Sequence, residues 1–102
     1  MKKYTLEELQ KLVDKQVQSR GGYWSDSGIL IQLINEVGEL GRIVNPDRPK
    51  KTEEAKLEIP HELADIFYAL ICFANSRKID LSEALLKKMG VFKERDGYRF
   101  KK

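Results

Sequence analysis

Between Leu63 and Ala74 the chain reads Leu-Ala-Asp-Ile-Phe-Tyr-Ala-Leu-Ile-Cys-Phe-Ala, a stretch with a single charge, Asp65. Wound as a helix it is apolar on nearly every side, and such a helix is stable in water only when other helices surround it. The segment therefore sets the fold class: all-α, with the other elements arranged to cover it.

The rest of the chain supplies those elements. Thr5-Leu6-Glu7-Glu8 has the spacing of a capping box, Leu6, Leu9, Val13 and Val17 follow at helical intervals, and Gly21-Gly22 ends that helix. Ser25-Asp26-Ser27 offers caps for a second helix, where Leu30, Leu33, Val37, Leu40 and Val44 recur at steps of three and four. Asn45-Pro46-Asp47-Arg48-Pro49-Lys50-Lys51 breaks it as a polar loop, because proline lacks an amide donor and biases its predecessor away from helix. Thr52 caps a lead-in to the third helix, and Pro60 either starts that helix or kinks a longer one. Asp80-Leu81-Ser82-Glu83 is a second capping-box pattern, followed by Leu81, Ala84, Leu85, Met89 and Phe92 on one face, with Gly90 weakening the end. The expectation is a four-helix bundle without sheet or internal repeat, in one domain over residues 1–102. Three neighbours of this size cover the third helix poorly, so a homodimer or homotetramer is expected.

Composition narrows the class further. With 41% hydrophobic and 34% charged residues over 102 positions, the chain can build one core and is not a disordered segment. No apolar run reaches the roughly 18 residues of a membrane span, and the two lysines at the start precede no signal-peptide core, so a soluble, cytoplasmic protein is expected. The single cysteine, Cys72, sits in the apolar run and reads as packing. The net charge of +3 is local: Ala84 to Lys102 holds seven Lys/Arg against two acids, a net +5, leaving −2 elsewhere. Such a tail suits nucleic acid, an acidic partner or a phosphorylated small molecule.

The chemistry resides in two acidic pairs. Glu36-x-x-Glu39 lies on the second helix and Glu62-x-x-Asp65 on the third, and residues three apart share a helical face. A helical wheel centres the buried stripe of the second helix on Leu33, Val37, Leu40 and Val44, with Glu36 at its border and Glu39 further round. On the third, Glu62 borders a stripe of Leu63, Ile66 and Leu70, with Asp65 beyond. If the two helices run antiparallel, four carboxylates converge. Ionised carboxylates that close repel one another, and the cluster needs protons or cations. All-oxygen ligation selects a hard dication, Mg²⁺ with Mn²⁺ as the alternative. No Asp-x-Asp-x-Asp-Gly run offers a calcium loop, and the lone histidine, His61, does not make the Glu-x-x-His pairs of a di-iron bundle.

The segment Leu33-Ile34-Asn35-Glu36-Val37-Gly38-Glu39-Leu40, followed after a gap by Glu62-Leu63-Ala64-Asp65-Ile66, with 22 residues between Glu39 and Glu62, resembles the signature of the MazG-like nucleotide pyrophosphohydrolases. The similarity extends from about Tyr23 to Arg95. It implies an all-α NTP pyrophosphatase fold and Mg²⁺-dependent hydrolysis of a nucleoside triphosphate to its monophosphate and pyrophosphate. It also implies that Glu36, Glu39, Glu62 and Asp65 bind the metal and carry catalysis. Members often follow a lysine of the fourth helix with an asparagine and further basic residues that contact substrate. Here Lys87 or Lys88, Lys93 and Arg95 match in charge, and no asparagine follows Asn75.

The candidates for substrate binding are therefore Lys88, Lys93 and Arg95 for phosphate, and Trp24, with Tyr23 beside it, for stacking on a base. Lys50 and Lys51 are weaker candidates, and His61 beside Glu62 is a further one. A non-enzymatic helical oligomer binding nucleic acid through the basic tail is the alternative. It leaves the paired acids unexplained, since acids on a nucleic-acid face oppose binding. A coiled-coil adaptor fits the second-helix stripe and not the breaks at Pro46, Pro49 and Pro60.

Overall fold

The computed structural model describes residues 1–45, 47 and 52–96, apart from the side chains of Thr52 and Asp96. Within them all regular structure is helical: α1 (Leu6–Ser19), α2 (Asp26–Ile43), α3 (Thr52–Ser76) and α4 (Leu81–Asp96). Most of the polar loop expected before α3, including Lys50 and Lys51, falls outside the described residues.

The capping box of α1 forms as its spacing predicts. The Glu8 amide donates to Thr5 Oγ1 at 3.1 Å, and the Thr5 amide donates to Glu8 Oε1 at 2.8 Å. At the other end Gly21 and Gly22 both take positive φ, +106° and +99°, which glycine adopts without the steric penalty a Cβ brings. Their amides return to the carbonyls of Gln18 and Val17, at 3.3 and 3.0 Å, and close a Schellman turn. Trp24 then folds back on the first turn of α2, where a Cβ on Gly28 would lie 3.5 Å from Trp24 Cβ and 3.2 Å from Ser25 Oγ. Ser25 caps α2, its hydroxyl accepting from the Gly28 amide at 3.2 Å.

Pro60 lies inside α3, which runs unbroken for 25 residues, so the helix neither starts nor stops there. It ends in a second Schellman turn: Ile79 N–H to the Ala74 carbonyl at 2.8 Å and Lys78 N–H to that of Asn75 at 3.0 Å. Lys78 holds the left-handed position, φ +56°, where glycine is usual. Asp80 Oδ1 caps α4 by accepting from the Glu83 amide at 3.0 Å, and the helix continues through Gly90 to Asp96.

The main packing is α2 on α3, and it is antiparallel. Asp26 at the start of α2 meets Arg77 after the end of α3 at 2.6 Å, while Ile43 and Leu57 line one cavity at the opposite end. Val17, Ile29 and Cys72 form the buried centre, with Val13, Tyr23 and Phe73 packed around them. Gln10 is the buried polar residue among those described, and it ties α1 to the α3–α4 turn. Its Nε2 donates to Asn75 Oδ1 and the Ile79 carbonyl, both at 2.9 Å, and its Oε1 accepts from the Leu81 amide at 3.0 Å. Every polar atom of that side chain thus has a partner, as burial requires.

Beyond that junction α4 packs mainly on α1 and leaves its apolar side chains in the open. Leu85, Leu86, Met89, Val91 and Phe92 are 41–65% exposed. The expected α4 stripe is therefore not covered by the other described helices. The radius of gyration, 16.6 Å, exceeds the roughly 13 Å of a compact chain this long.

Candidate active site

The seam between α2 and α3 differs from the wheel drawn on the sequence. Val37 and Val44, placed at the centre of the α2 stripe, are half exposed, whereas Ile29 and Ile43 are buried and Leu33, Glu36 and Leu40 partly so. The inward face is thus 29, 33, 36, 40, 43, and Glu36 stands on it rather than at its border. On α3 Leu63 and Leu70 are exposed, and the inward positions are Glu62, Asp65, Ala69 and Cys72. The physical reason is that α2 is apolar along two adjacent stripes, and periodicity alone does not say which one α3 covers.

Three acids consequently occupy seam positions where aliphatic side chains would ordinarily interlock. Carboxylate oxygens of Glu36, Glu62 and Asp65 all lie within 4.8 Å of one another. Glu62 Oε2 is enclosed and has no hydrogen-bond partner among the described residues. A hydrogen bond to Glu62, then burial, then the charges of Glu62 and Asp65 push the Glu36 carboxyl from 4.5 up to about 7. Gln32, one turn back, donates to Glu36 Oε1 at 2.9 Å and orients it. An orphaned, buried carboxylate oxygen beside two more carboxylates is a donor set that fits a hard divalent cation.

Glu36 and Asp65 stand in the wall of a cavity of about 420 Å³. The α1–α2 connection supplies Arg20, Tyr23 and Trp24, and α3 supplies Tyr68, Ala69 and Cys72. Its volume falls in the range of small-molecule sites, and its character is mixed: acidic where Glu36 and Asp65 stand, aromatic and apolar elsewhere. The Tyr23 hydroxyl donates to Asp14 at 2.6 Å, and burial followed by that contact pushes the phenol up to about 12. The Tyr68 hydroxyl donates to Gln16 Oε1 at 3.0 Å. Both rings are thereby fixed as walls. Burial also raises the Cys72 thiol, which keeps it protonated and inert, in line with a packing role.

A family model, the MazG nucleotide pyrophosphohydrolase domain, matches residues 25–100. The chain belongs to that family. Consistently, it is 36% identical over 100 residues to YpjD of Bacillus subtilis (strain 168), covering 94% of this chain and 90% of YpjD. Among solved structures it resembles a Bacillus-conserved MazG protein, a nucleotide pyrophosphohydrolase. That match has TM-score 0.76 and 34% identity, over 90% of this chain and 93% of the other. It also resembles the crystal structure of B. subtilis YpjD, with TM-score 0.75 and, on superposition, 31% identity over the full length of both. MazG membership supports nucleotide pyrophosphohydrolysis as the class of activity.

Of the four acids expected to meet in this MazG domain, the structure brings three together. Glu39 is half exposed and paired with Arg42 one turn along α2. It lines a second cavity of about 340 Å³ with Glu58, His61 and Glu62, so Glu62 stands between the cluster and Glu39. His61 is exposed in mid-helix, its Nε2 3.9 Å from Asp65 Oδ2. Trp24 lines the large cavity. Lys88, Lys93 and Arg95 line neither cavity. Lys88 and Arg95 lie over the Phe92 ring, at 5.4 and 5.0 Å. The reason is positional: α4 leaves from the Gln10 junction on the α1 side, whereas the acids lie in the α2–α3 seam. Gln32, Tyr68 and Arg20 were not singled out in the sequence. Gln32 was legible there, since it lies four residues before Glu36 on the same face. Arg20 reaches the cavity as the C-cap of α1, just ahead of the double-glycine turn, a placement that no periodicity announces.

Proposed function

We propose that the chain, acting as one domain over residues 1–102, is a Mg²⁺-dependent pyrophosphohydrolase that cleaves a nucleoside triphosphate to its monophosphate and pyrophosphate. The observation carrying this reading is the convergence of Glu36, Glu62 and Asp65, with Glu36 and Asp65 standing in the wall of a cavity of nucleotide-compatible size. These three carboxylates would hold the metal, with Glu39 completing the set from the far side of Glu62 once released from Arg42. A bound Mg²⁺ supplies charge neutralisation of the polyphosphate and a lowered pKa for water. Mn²⁺ satisfies the same oxygen donors. The protein's own part is orientation: Gln32 aligns Glu36, a carboxylate of the cluster positions the attacking water, and Trp24 with Tyr68 flanks the nucleoside.

The test is incubation with a panel of nucleoside triphosphates and Mg²⁺, with the products identified. Pyrophosphate and monophosphate in equal amounts are expected. Orthophosphate, or a salt-sensitive gel shift with nucleic acid and no hydrolysis, would overturn the reading. Such a reaction suits a cytoplasmic setting, and no described helix is long and apolar enough to cross a membrane.

The same reading includes a homodimer or homotetramer, formed by covering the open apolar face of α4. Each of its five large apolar side chains is about half exposed, so covering one recovers roughly 1 kcal/mol. Replacing both Leu86 and Met89 by Glu is expected to raise the dissociation constant at least ~100-fold and yield monomers in sedimentation analysis. Wild-type protein that sediments as a monomer at high concentration would contradict the assembly.

A further inference from the structure

With a chain of phosphates bound, the cavity would hold more negative charge than its acids alone. Some positive charge must face it besides the metal. Sequence reasoning assigned that role to Lys88, Lys93 and Arg95, yet none of them lines the cavity. Among the described residues that do line it, Arg20 is the one cationic side chain. Arg20 is also the C-cap of α1, immediately before the two glycines that turn the chain toward Trp24. It makes no ion pair among the described residues, unlike Arg42 and Arg77, which hold Glu39 and Asp26. Its charge is felt inside the cavity: burial and then Cys72 raise the Tyr68 phenol, and Arg20 offsets part of that rise. Tyr68 is three residues along α3 from Asp65, and Arg20 lines the same cavity as both of them and Glu36.

We propose that Arg20 binds the polyphosphate of the substrate, taking the cationic role that α4 does not fill within the chain. The proposal rests on the pyrophosphohydrolase reading above. A guanidinium presents a planar fork that matches two phosphate oxygens, and at the cavity wall it is free to do so. The bland alternative, that Arg20 only complements the negative end of the α1 dipole, predicts an effect on stability and none on substrate.

The experiment compares wild type, Arg20→Gln and Arg20→Lys with the best triphosphate of the panel in Mg²⁺. For Arg20→Gln, KM is expected to rise about 10- to 100-fold, the value of a charge-assisted contact, with kcat within about threefold. Arg20→Lys should fall between, since it keeps the charge and loses the fork. Inorganic tripolyphosphate should inhibit Arg20→Gln more weakly by the same factor as KM rises. Mn²⁺ affinity without nucleotide, and Tm, should be unchanged. An unchanged KM overturns the proposal. So does a raised KM with tripolyphosphate inhibition unmoved, which would assign Arg20 to the nucleoside. If wild type hydrolyses no triphosphate, the pyrophosphohydrolase reading fails on its own. Tripolyphosphate binding to the Mn²⁺-loaded proteins still decides Arg20, with equal affinity for wild type and Arg20→Gln overturning it.

Discussion

Glu36→Gln and Asp65→Asn are each expected to lower turnover at least ~10³-fold while leaving the protein helical. Residues that merely support a metal ligand already cost about 10–100-fold when removed, and these two are proposed as the ligands themselves. Both substitutions keep shape, and in the metal-free protein above about pH 7, where Glu36 is ionised, each removes a charge and relieves repulsion among oxygens gathered within 4.8 Å. Tm measured without metal should therefore hold or rise as activity disappears, a combination that a folding defect does not produce. Glu39→Gln belongs to the same series. If its carboxylate leaves Arg42 to join the cluster, Glu39→Gln loses activity whereas Arg42→Ala, which only frees it, does not. Full activity in Glu36→Gln and Asp65→Asn would remove the proposed site.

Chelation is expected to bring turnover to background, with Mg²⁺ or Mn²⁺ restoring it, and to expose a characteristic pH dependence of stability. Without metal the folded protein holds a proton on Glu36 up to about pH 7, because Glu62 hydrogen-bonds to it and the neighbouring charges resist its ionisation. In the unfolded chain that carboxyl titrates near its ordinary 4.5. Between those values the folded state binds more protons than the unfolded one, so this contribution to stability is lost as pH rises through the window. Metal-free Tm should fall between about pH 5 and pH 7 more steeply in wild type than in Glu36→Gln. Saturating Mg²⁺ should flatten the wild-type slope, since the cation replaces the proton and its binding releases it. Identical slopes in the two proteins, or turnover indifferent to chelator, would count against the metal cluster.

The helix count, the capping box of α1 and the Asp80 cap of α4 were legible because they rest on local chemistry: Thr5 and Glu8 bond across one turn whatever the tertiary structure does, whereas Glu83 turns to Lys87 and leaves the second box half formed. The pairing of α2 with α3 was legible in outline from the acids, and their seam was not. Choosing between Val37 and Ile43 as inward residues requires knowing which of two apolar stripes α3 covers, and that depends on packing rather than period. Pro60 was open for a similar reason, because its missing donor is tolerated either at a helix start or inside a helix held by its neighbours. The polar tie at Gln10 and the approach of Arg20 both join segments distant in sequence, and neither leaves a pattern within a window of residues. The basic residues of α4 were legible as charge and not as location, because a helix fastened at its first turn takes its direction from that fastening.

The placement of acids on the inward face of α2 and α3 has a further consequence. A pair of helices whose interlocking row is aliphatic at both ends and ionic in the middle gives up cohesion at its midpoint. Leucines at those three places would make a sturdier protein with nothing to offer a nucleotide. On the proposed reading, weaker cohesion at that point and the chemistry of the site would be one property seen from two sides, and a cation filling the gap would act as both keystone and reagent.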